Sequence, residues 1–525
     1  MFSYKSLRAV CSLLCLFFFV GCTDLELVPE NRASPDTLLT EEENYEPFLA
    51  RLYAGYAVTG QQGPTGASDV QSLDEGFSNY IRVLYKLQEL PTETAVIAWG
   101  DAGLPELVYQ TWTSDNQFIR AMYYRIFFQV SLANEFLRET TEEQLNSRGI
   151  REGFFSTVEG YRAEARFIRA FSYWHAIDMF GDVIFYTEDQ VINGPLPSEA
   201  SRQDIFNFAV AELEAIRNQL PAPGTAEYGR VDQAAADMLL AKLYQNSQVY
   251  TGQDRSAEAL EAVSRVIDSG AFELDEEYQN LFLADNDRSS EFIWAIPFDG
   301  DNTQSFGGTT FLTHAPYGGT MEPEEYGING GWFGLRTTPD FVDLFPDETG
   351  EADERAIFYT DGQTREINNI SEFTQGYAVP KFQNVTSEGI AGADPGFADT
   401  DFPFFRLGDA YLMYAEAAVR SGQNIDRAVE LVNELRERAY DGEGGNIEAD
   451  ELSLDFILAE RARELYWEAQ RRTDLIRFNQ FSENGVWAWK GNVQEGRTTE
   501  AFRDLYPLPA SELAANPNLT QNEGY

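Results

Sequence analysis

The sequence predicts a mainly α protein, with tetratricopeptide-type helical hairpins as its core and a large loop-rich insertion containing short strands. Three observations carry that expectation. Segments between residues 115 and 220 place apolar residues at helical spacing. Two alanine-rich segments share a plan of helix, turn and helix. Between them, from about Ala271 to Phe404, periodicity gives way to glycine-bearing stretches such as "SFGGTTFL", "PYGGT" and "GINGGWFGL".

Taken in order, residues 1–21 read as an export signal. Lys5 and Arg8 precede an apolar run from Ala9 to Val20 that meets Gly21 and Cys22. As a helix this run rises about 18 Å, against a hydrocarbon core of about 30 Å, so it is too short to span a membrane. All three cysteines, Cys11, Cys15 and Cys22, fall within "CSLLCLFFFVGCTD". "FVGC" resembles a bacterial lipobox, in which the cysteine becomes an acylated N-terminus. Cys22 is therefore expected to carry a lipid anchor. An exported chain meets oxidants, and a blocked Cys22 leaves the mature chain with no thiol to oxidise.

Residues 22–42 are acidic, carry two prolines and read as a tether. Region 43–270 is an N-terminal helical part with binding loops, starting with a helix near Glu43–Tyr56. The glycines and proline of 59–66 open a loop stretch expected to last until about Ser114. "DNQFIRAMYYRIFFQVSLANEFLRET" then sets Phe118, Met122, Ile126 and Val130 near one face of a helix. "YRAEARFIRAFSYWHAIDMFGD" does the same with Phe167, Ile168, Phe171, Trp174 and His175. "RQDIFNFAVAELEAIRNQL" forms a third helix, closed by Pro221.

The paired units are "RVDQAAADMLLAKLYQNSQVYTGQDRSAEALEAVSRVIDSG" and "RLGDAYLMYAEAAVRSGQNIDRAVELVNELRERA". Alanines let two helices approach closely, and each unit has about the length of a tetratricopeptide repeat. Region 271–404 is the loop-rich insertion, where binding residues concentrate on such scaffolds. Region 405–525 returns to helix, with "LDFILAERARELYWEAQRRTDLIRFNQF" expected as one final helix before a loop-rich tail.

Composition excludes several function classes. With 38 basic against 86 acidic residues the net charge is −48, a field that repels phosphate backbones, so no nucleic-acid partner is expected. The two histidines, His175 and His314, lack metal-ligand spacing, and no cofactor or metal is expected. No phosphate-binding loop, GxSxG elbow or HExxH motif occurs. With this many acids a glycosidase-like carboxylate pair can always be imagined, so it carries no weight. In "QRRTDLIRF", Arg471, Arg472, Asp474 and Arg477 read as arginine–carboxylate pairs that fix the scaffold.

Four segments, "EARFIRAFSYWHAIDMFGDV", "FFRLGDAYLMYAEA", "ERARELYWEAQRRTDLIRF" and "NPNLTQNEGY", resemble the SusD/RagB family along almost the whole mature chain. The resemblance implies a surface lipoprotein of the outer membrane that binds glycan without enzymatic activity, beside a SusC-like TonB-dependent transporter. "LDEGFSNYIR", "FGGTTFL" and "NGGW" are most similar to the family's starch-binding member, which implies an α-glucan or malto-oligosaccharide ligand. Another oligosaccharide such as a β-glucan, or a helical glycoside hydrolase, are the alternatives.

Glycan binding needs flat apolar faces for sugar C–H groups and a few polar groups for hydroxyls. Carried over by resemblance, the aromatic faces are Trp99, Phe306 and Trp332, and the polar contacts are Asp74 and Arg82. Phe306 stands where the starch-binding member has Tyr, and Ala102 where it has an amide, with Asp101 next door as a candidate substitute. For Asp74 and Arg82 the alternative is a local ion pair that shapes the loop. Trp332 is expected to have little to pack against, because three glycines surround it.

Overall fold

The computed structural model describes residues 35–70, 73–191 and 194–525. The export signal, Cys22 and the first part of the expected tether lie outside the described residues. The end of the tether is more ordered than expected. Pro35–Leu38 is a helical turn, and Leu39 is buried with Tyr45, Leu145, Ile150 and Val158. A leucine within reach of an apolar cluster docks there despite its acidic neighbours, so structure starts before residue 43.

Helices α1 (Tyr45–Ala57), α2 (Tyr80–Gln88), α3 (Gln117–Glu139), α4 (Phe155–Phe180) and α5 (Arg202–Ile216) build the N-terminal part. α3 packs on α4 and buries Phe118, Met122, Ile126 and Val130, the stripe read from the sequence. Asn116 caps α3 by accepting from the amides of Phe118 and Ile119 at 3.0 and 3.3 Å. α6 (Gln233–Gln245) and α7 (Ser256–Asp268) are the first alanine-rich pair. The insertion contributes the short helix α8 (Gly308–His314). α9 (Leu407–Ser421) and α10 (Ile425–Ala439) are the second pair, and α7 packs directly on α9, so the two units stack. Ala234, Ala235, Ala236, Ala415, Ala417 and Ala418 are buried, as close helix contacts require.

Among the described residues six short strands, β1 (Val96–Ile97), β2 (Val183–Ile184), β3 (Glu199–Ala200), β4 (Phe292–Ile296), β5 (Leu335–Arg336) and β6 (Phe402–Arg406), pair antiparallel as β1–β5, β2–β3 and β4–β6. β4 and β6 bring the beginning and end of the insertion together. Among the described residues no helix is long and apolar enough to cross a membrane.

Two expectations need correction. The stretch from Thr59 to Ser114 is not all loop: it holds α2 and the helix Leu104–Tyr109. Every residue of α2 is buried, the Arg82 and Lys86 face included, because that polar face packs on the rings of Phe77, Phe118 and Phe311 rather than meeting water. The final helix is not continuous either, but splits into α11 (Leu454–Leu465) and α12 (Arg471–Arg477). Trp467 and Ala469 between them adopt left-handed backbone, with φ of 65° and 60°. Tertiary partners hold this break. Arg406 and Tyr278 donate to the Glu464 carbonyl at 2.8 and 2.6 Å, Lys381 donates to the Tyr466 carbonyl at 2.6 Å, and the Trp467 indole donates to Thr94 at 3.1 Å. The carbonyls that would continue the helix are satisfied from outside it.

The arginine-rich motif does fix the scaffold. Arg471 bonds Glu93, Arg472 bonds Asp178, and Asp474 accepts from Arg461 and Arg477. Beside it, buried Glu464 accepts from Arg355, Arg406 and Arg438 at 3.1, 2.7 and 2.6 Å. Burial pushes this carboxyl up, but the three guanidiniums outweigh it and hold it well below the usual carboxylate range. Arg355 comes from the insertion and Glu464 from the C-terminal helices, so the pair clamps the one to the other.

Candidate functional site

β1 and β5 form a two-residue ribbon in which Val96 faces Arg336 and Ile97 faces Leu335. Trp99 leaves one strand just as Trp332 approaches the other. The Ala98 amide donates to the Gly334 carbonyl at 2.9 Å, and the Trp99 indole N–H donates to the Trp332 carbonyl at 2.9 Å. The two rings lie 6.4 Å apart, tilted by 42°. Gly334 is needed for this approach: a Cβ there would sit 2.6 Å from the Trp99 ring. Phe306 follows, 6.4 Å from Trp332, and Phe397 lies 5.3 Å beyond it. Trp99, Trp332, Phe306 and Phe397 are all half-buried, so each is anchored on one side and accessible on another.

The Trp332 ring does have something to pack against, contrary to the expectation drawn from its glycines. His314, at the end of α8, lies 5.0 Å away at 33°, and the Trp332 amide donates to the His314 carbonyl at 2.8 Å. The His314 ring is itself fixed, with Nδ1 2.9 Å from the Thr310 carbonyl and Nε2 3.2 Å from the Pro395 carbonyl. Glycines shape the backbone while a distant helix supplies the support.

Arg82, on α2, sits behind the arc. It is 4% exposed, and its guanidinium lies 4.4 Å from the Phe77 ring, 4.6 Å from Phe311 and 5.8 Å from both Trp99 and Trp332. Nη1 donates to the Phe306 carbonyl at 2.7 Å. Burial pushes its pKa down to about 9, opposed by Asp101, Asp74 and Glu75, so the group stays cationic at neutral pH. Cation–π contacts of this kind pull the rings and the guanidinium into one unit. One turn further along α2, Lys86 is fully buried 4.2 Å from the Phe118 ring and 4.6 Å from Phe77.

Trp99, Trp332, Phe306 and Arg82 are thus brought into direct contact. Asp74 is exposed, and its Oδ1 accepts from the Gly76 amide at 3.2 Å; Asp101 is half-buried. Both act on Arg82 through charge, but neither forms an ion pair with it among the described residues. The loop-shaping ion pair considered for Asp74 and Arg82 is therefore not formed, because Arg82 is drawn inward by the rings and the Phe306 carbonyl. At Ala102, Gln117 places an amide against the main-chain carbonyl at 2.6 Å. Sequence reasoning missed Phe397, His314 and Gln117. Each comes from a different segment, and only the aromatic in "DPGFADTD" offered a signal.

The arrangement offers flat aromatic faces with carboxylates at their edge, while the Arg82 guanidinium, expected as a ligand contact, lies buried behind the rings. The family model described as the SusD family matches residues 350–525. Starch-binding protein SusD of Bacteroides thetaiotaomicron is 33% identical over 522 residues, covering 90% of this chain and 91% of that protein. A SusD superfamily protein from Parabacteroides distasonis superimposes with a TM-score of 0.72 at 21% identity, covering 92% of this chain and 99% of that one. Surface glycan-binding protein A from Bacteroides fluxus gives 0.69 at 19% identity, with 92% and 100% covered. With a third of its residues shared along nearly its whole length, the chain belongs to the SusD family.

Proposed function

We propose that this protein captures starch-like α-glucan or malto-oligosaccharide at the cell surface, held by a lipid on Cys22, and delivers it to a SusC-like TonB-dependent transporter. As a SusD-family protein it binds glycan rather than cleaving it. The observation that carries the ligand reading is the tilted arc of Trp99, Trp332 and Phe306. An α-glucan winds, so successive sugars present their apolar faces at changing angles, and rings tilted by 42° and 58° suit that better than a flat row. The starch-binding relative supports the same reading.

Phe306 can stack without offering a hydroxyl, so the contact would be more apolar than a tyrosine makes. Calorimetry against a panel of α- and β-glucans tests the proposal. Binding of malto-oligosaccharides, reduced by Trp332→Ala, is the expected result. Preferential binding of a β-glucan would transfer the same role to another glycan, and sustained release of reducing sugar would overturn the binding-only reading.

A further inference from the structure

Two aromatics are found among the exposed large apolar side chains of the described residues, Tyr228 and Phe333. Tyr228 gives its hydroxyl to Asp401. Phe333 is 51% exposed and has no polar group to place in water. It also holds a φ of 53°, a left-handed conformation that L side chains with bulk avoid. A strained and exposed phenylalanine beside Trp332 invites a functional explanation.

The geometry supplies one. Successive residues of an extended strand point to opposite faces, which would send the rings of Trp332 and Phe333 apart. The left-handed residue interrupts that alternation. Both rings rest on one segment, 314–318: Trp332 lies against His314, and Phe333 lies over Gly318, where any Cβ would come within 2.4 Å of its ring. The Phe333 amide donates to the Tyr317 carbonyl at 3.0 Å, which pins the backbone. Phe373 meets the ring edge-on at 5.5 Å, and it belongs to a small separate core with Tyr317, Met321, Ile328 and Ala378. Phe333 therefore stands on a rigid floor, with a face open to solvent, one residue from the arc.

We propose that Phe333 is an outer stacking platform, a second subsite that takes sugar units of a longer glucan continuing past Trp332. This rests on the glycan-binding reading above and adds chain-length selectivity to it: a short oligosaccharide would fill the arc alone, and a longer one would gain a further stacked ring.

The test is calorimetry of the full mature chain with maltotriose and with maltoheptaose, in wild type, Phe333→Gly and Phe333→Ala. Glycine adopts the left-handed backbone without strain, so Phe333→Gly should remain folded with an undiminished Tm. The expected result is affinity for maltoheptaose lower by about three- to tenfold in both variants, with maltotriose unchanged. Equal maltoheptaose affinity in wild type and both variants would overturn the outer subsite while leaving the arc intact. Equal loss for both ligands would overturn it too, assigning Phe333 to positioning Trp332. Loss of transporter association with normal glucan binding would overturn it in favour of a protein contact. A wild type that binds neither ligand would overturn the α-glucan reading itself, and the outer subsite with it.

Discussion

Trp99 donates its indole N–H to the main-chain carbonyl of Trp332 across 2.9 Å, although 233 residues separate them in the chain. The bond fixes the Trp99 ring against the backbone that carries the other ring, so the two tryptophans act as one platform. Each replaced by alanine should weaken α-glucan binding by about ten- to a hundredfold. Because the two rings lie 6.4 Å apart and share a ligand, the double variant should lose less than the sum, with a coupling of about 0.5–3 kcal/mol. Calorimetry on the two single variants and the double variant measures this. Independent, additive losses would show that the rings do not work together.

Gly334→Ala should disturb the platform without unfolding the protein. The new methyl would sit 2.6 Å from the Trp99 ring, which must move aside. Overpacking of this kind costs about 1–3 kcal/mol. Because the affected ring is half-buried and able to shift, the stability cost should fall at the low end of that range, while affinity falls by about tenfold. Titration and thermal melts on the same preparation separate the two effects.

Lys86 should destabilise the folded state at neutral pH. It is fully buried, and its ammonium has no hydrogen-bond partner among the described residues. Burial first, and then the neighbouring Arg82, push its pKa well below the ordinary lysine value. A folded pKa below the unfolded value of about 10.4 means that the unfolded chain binds more protons. This group therefore opposes folding below about pH 10.4, and its penalty fades as the pH rises toward that value. Lys86→Met should raise stability at pH 7 by about 1–2 kcal/mol and flatten the dependence between pH 7 and 10. Urea midpoints at several pH values give the answer. A lower midpoint in the variant at pH 7 would show that the cation–π contacts outweigh desolvation.

The buried carboxylates predict acid sensitivity of the opposite sign. Burial raises Glu460, but Arg355, Arg463 and Arg436 outweigh it and hold its pKa at about 2; arginines likewise hold Glu464 and Asp474 low. A folded pKa below the unfolded value contributes stability that is present above about pH 4.3 and lost as the pH falls toward the folded value. Unfolding should therefore steepen between about pH 4.3 and 2. Glu464→Gln leaves three guanidiniums facing an uncharged group and should cost about 3–5 kcal/mol at neutral pH. Thermal melts from pH 7 to pH 2.5 should show a lower Tm throughout for the variant and a shallower acid limb.

The anchor can be tested without the fold. Cys22→Ser removes the thiol that the lipobox-like "FVGC" presents, and the protein should move from the membrane fraction to the soluble one. One acyl chain binds membranes only marginally, so mass spectrometry of the mature wild type should find more than one. An unmodified N-terminus elsewhere would refute lipidation.

The sequence by itself determined the helical class and the alanine-rich hairpins, while the aromatic residues proposed for the site came from resemblance to the family. Class and hairpins leave a local trace: the stripe of Phe118, Met122, Ile126 and Val130, and the run of alanines from 234 to 236. The tertiary structure decided how they act. It paired β1 with β5 so that Trp99 reaches Trp332, brought Phe397 and His314 against them, and turned Arg82 from a loop residue into the buried base of the arc. It also broke the last helix at Trp467, where no glycine or proline marks the place. The physical reason is common to these cases. Helical periodicity and capping depend on neighbours within a turn, whereas a two-residue ribbon and a captured carbonyl depend on partners far along the chain, which leave no period in the sequence to read.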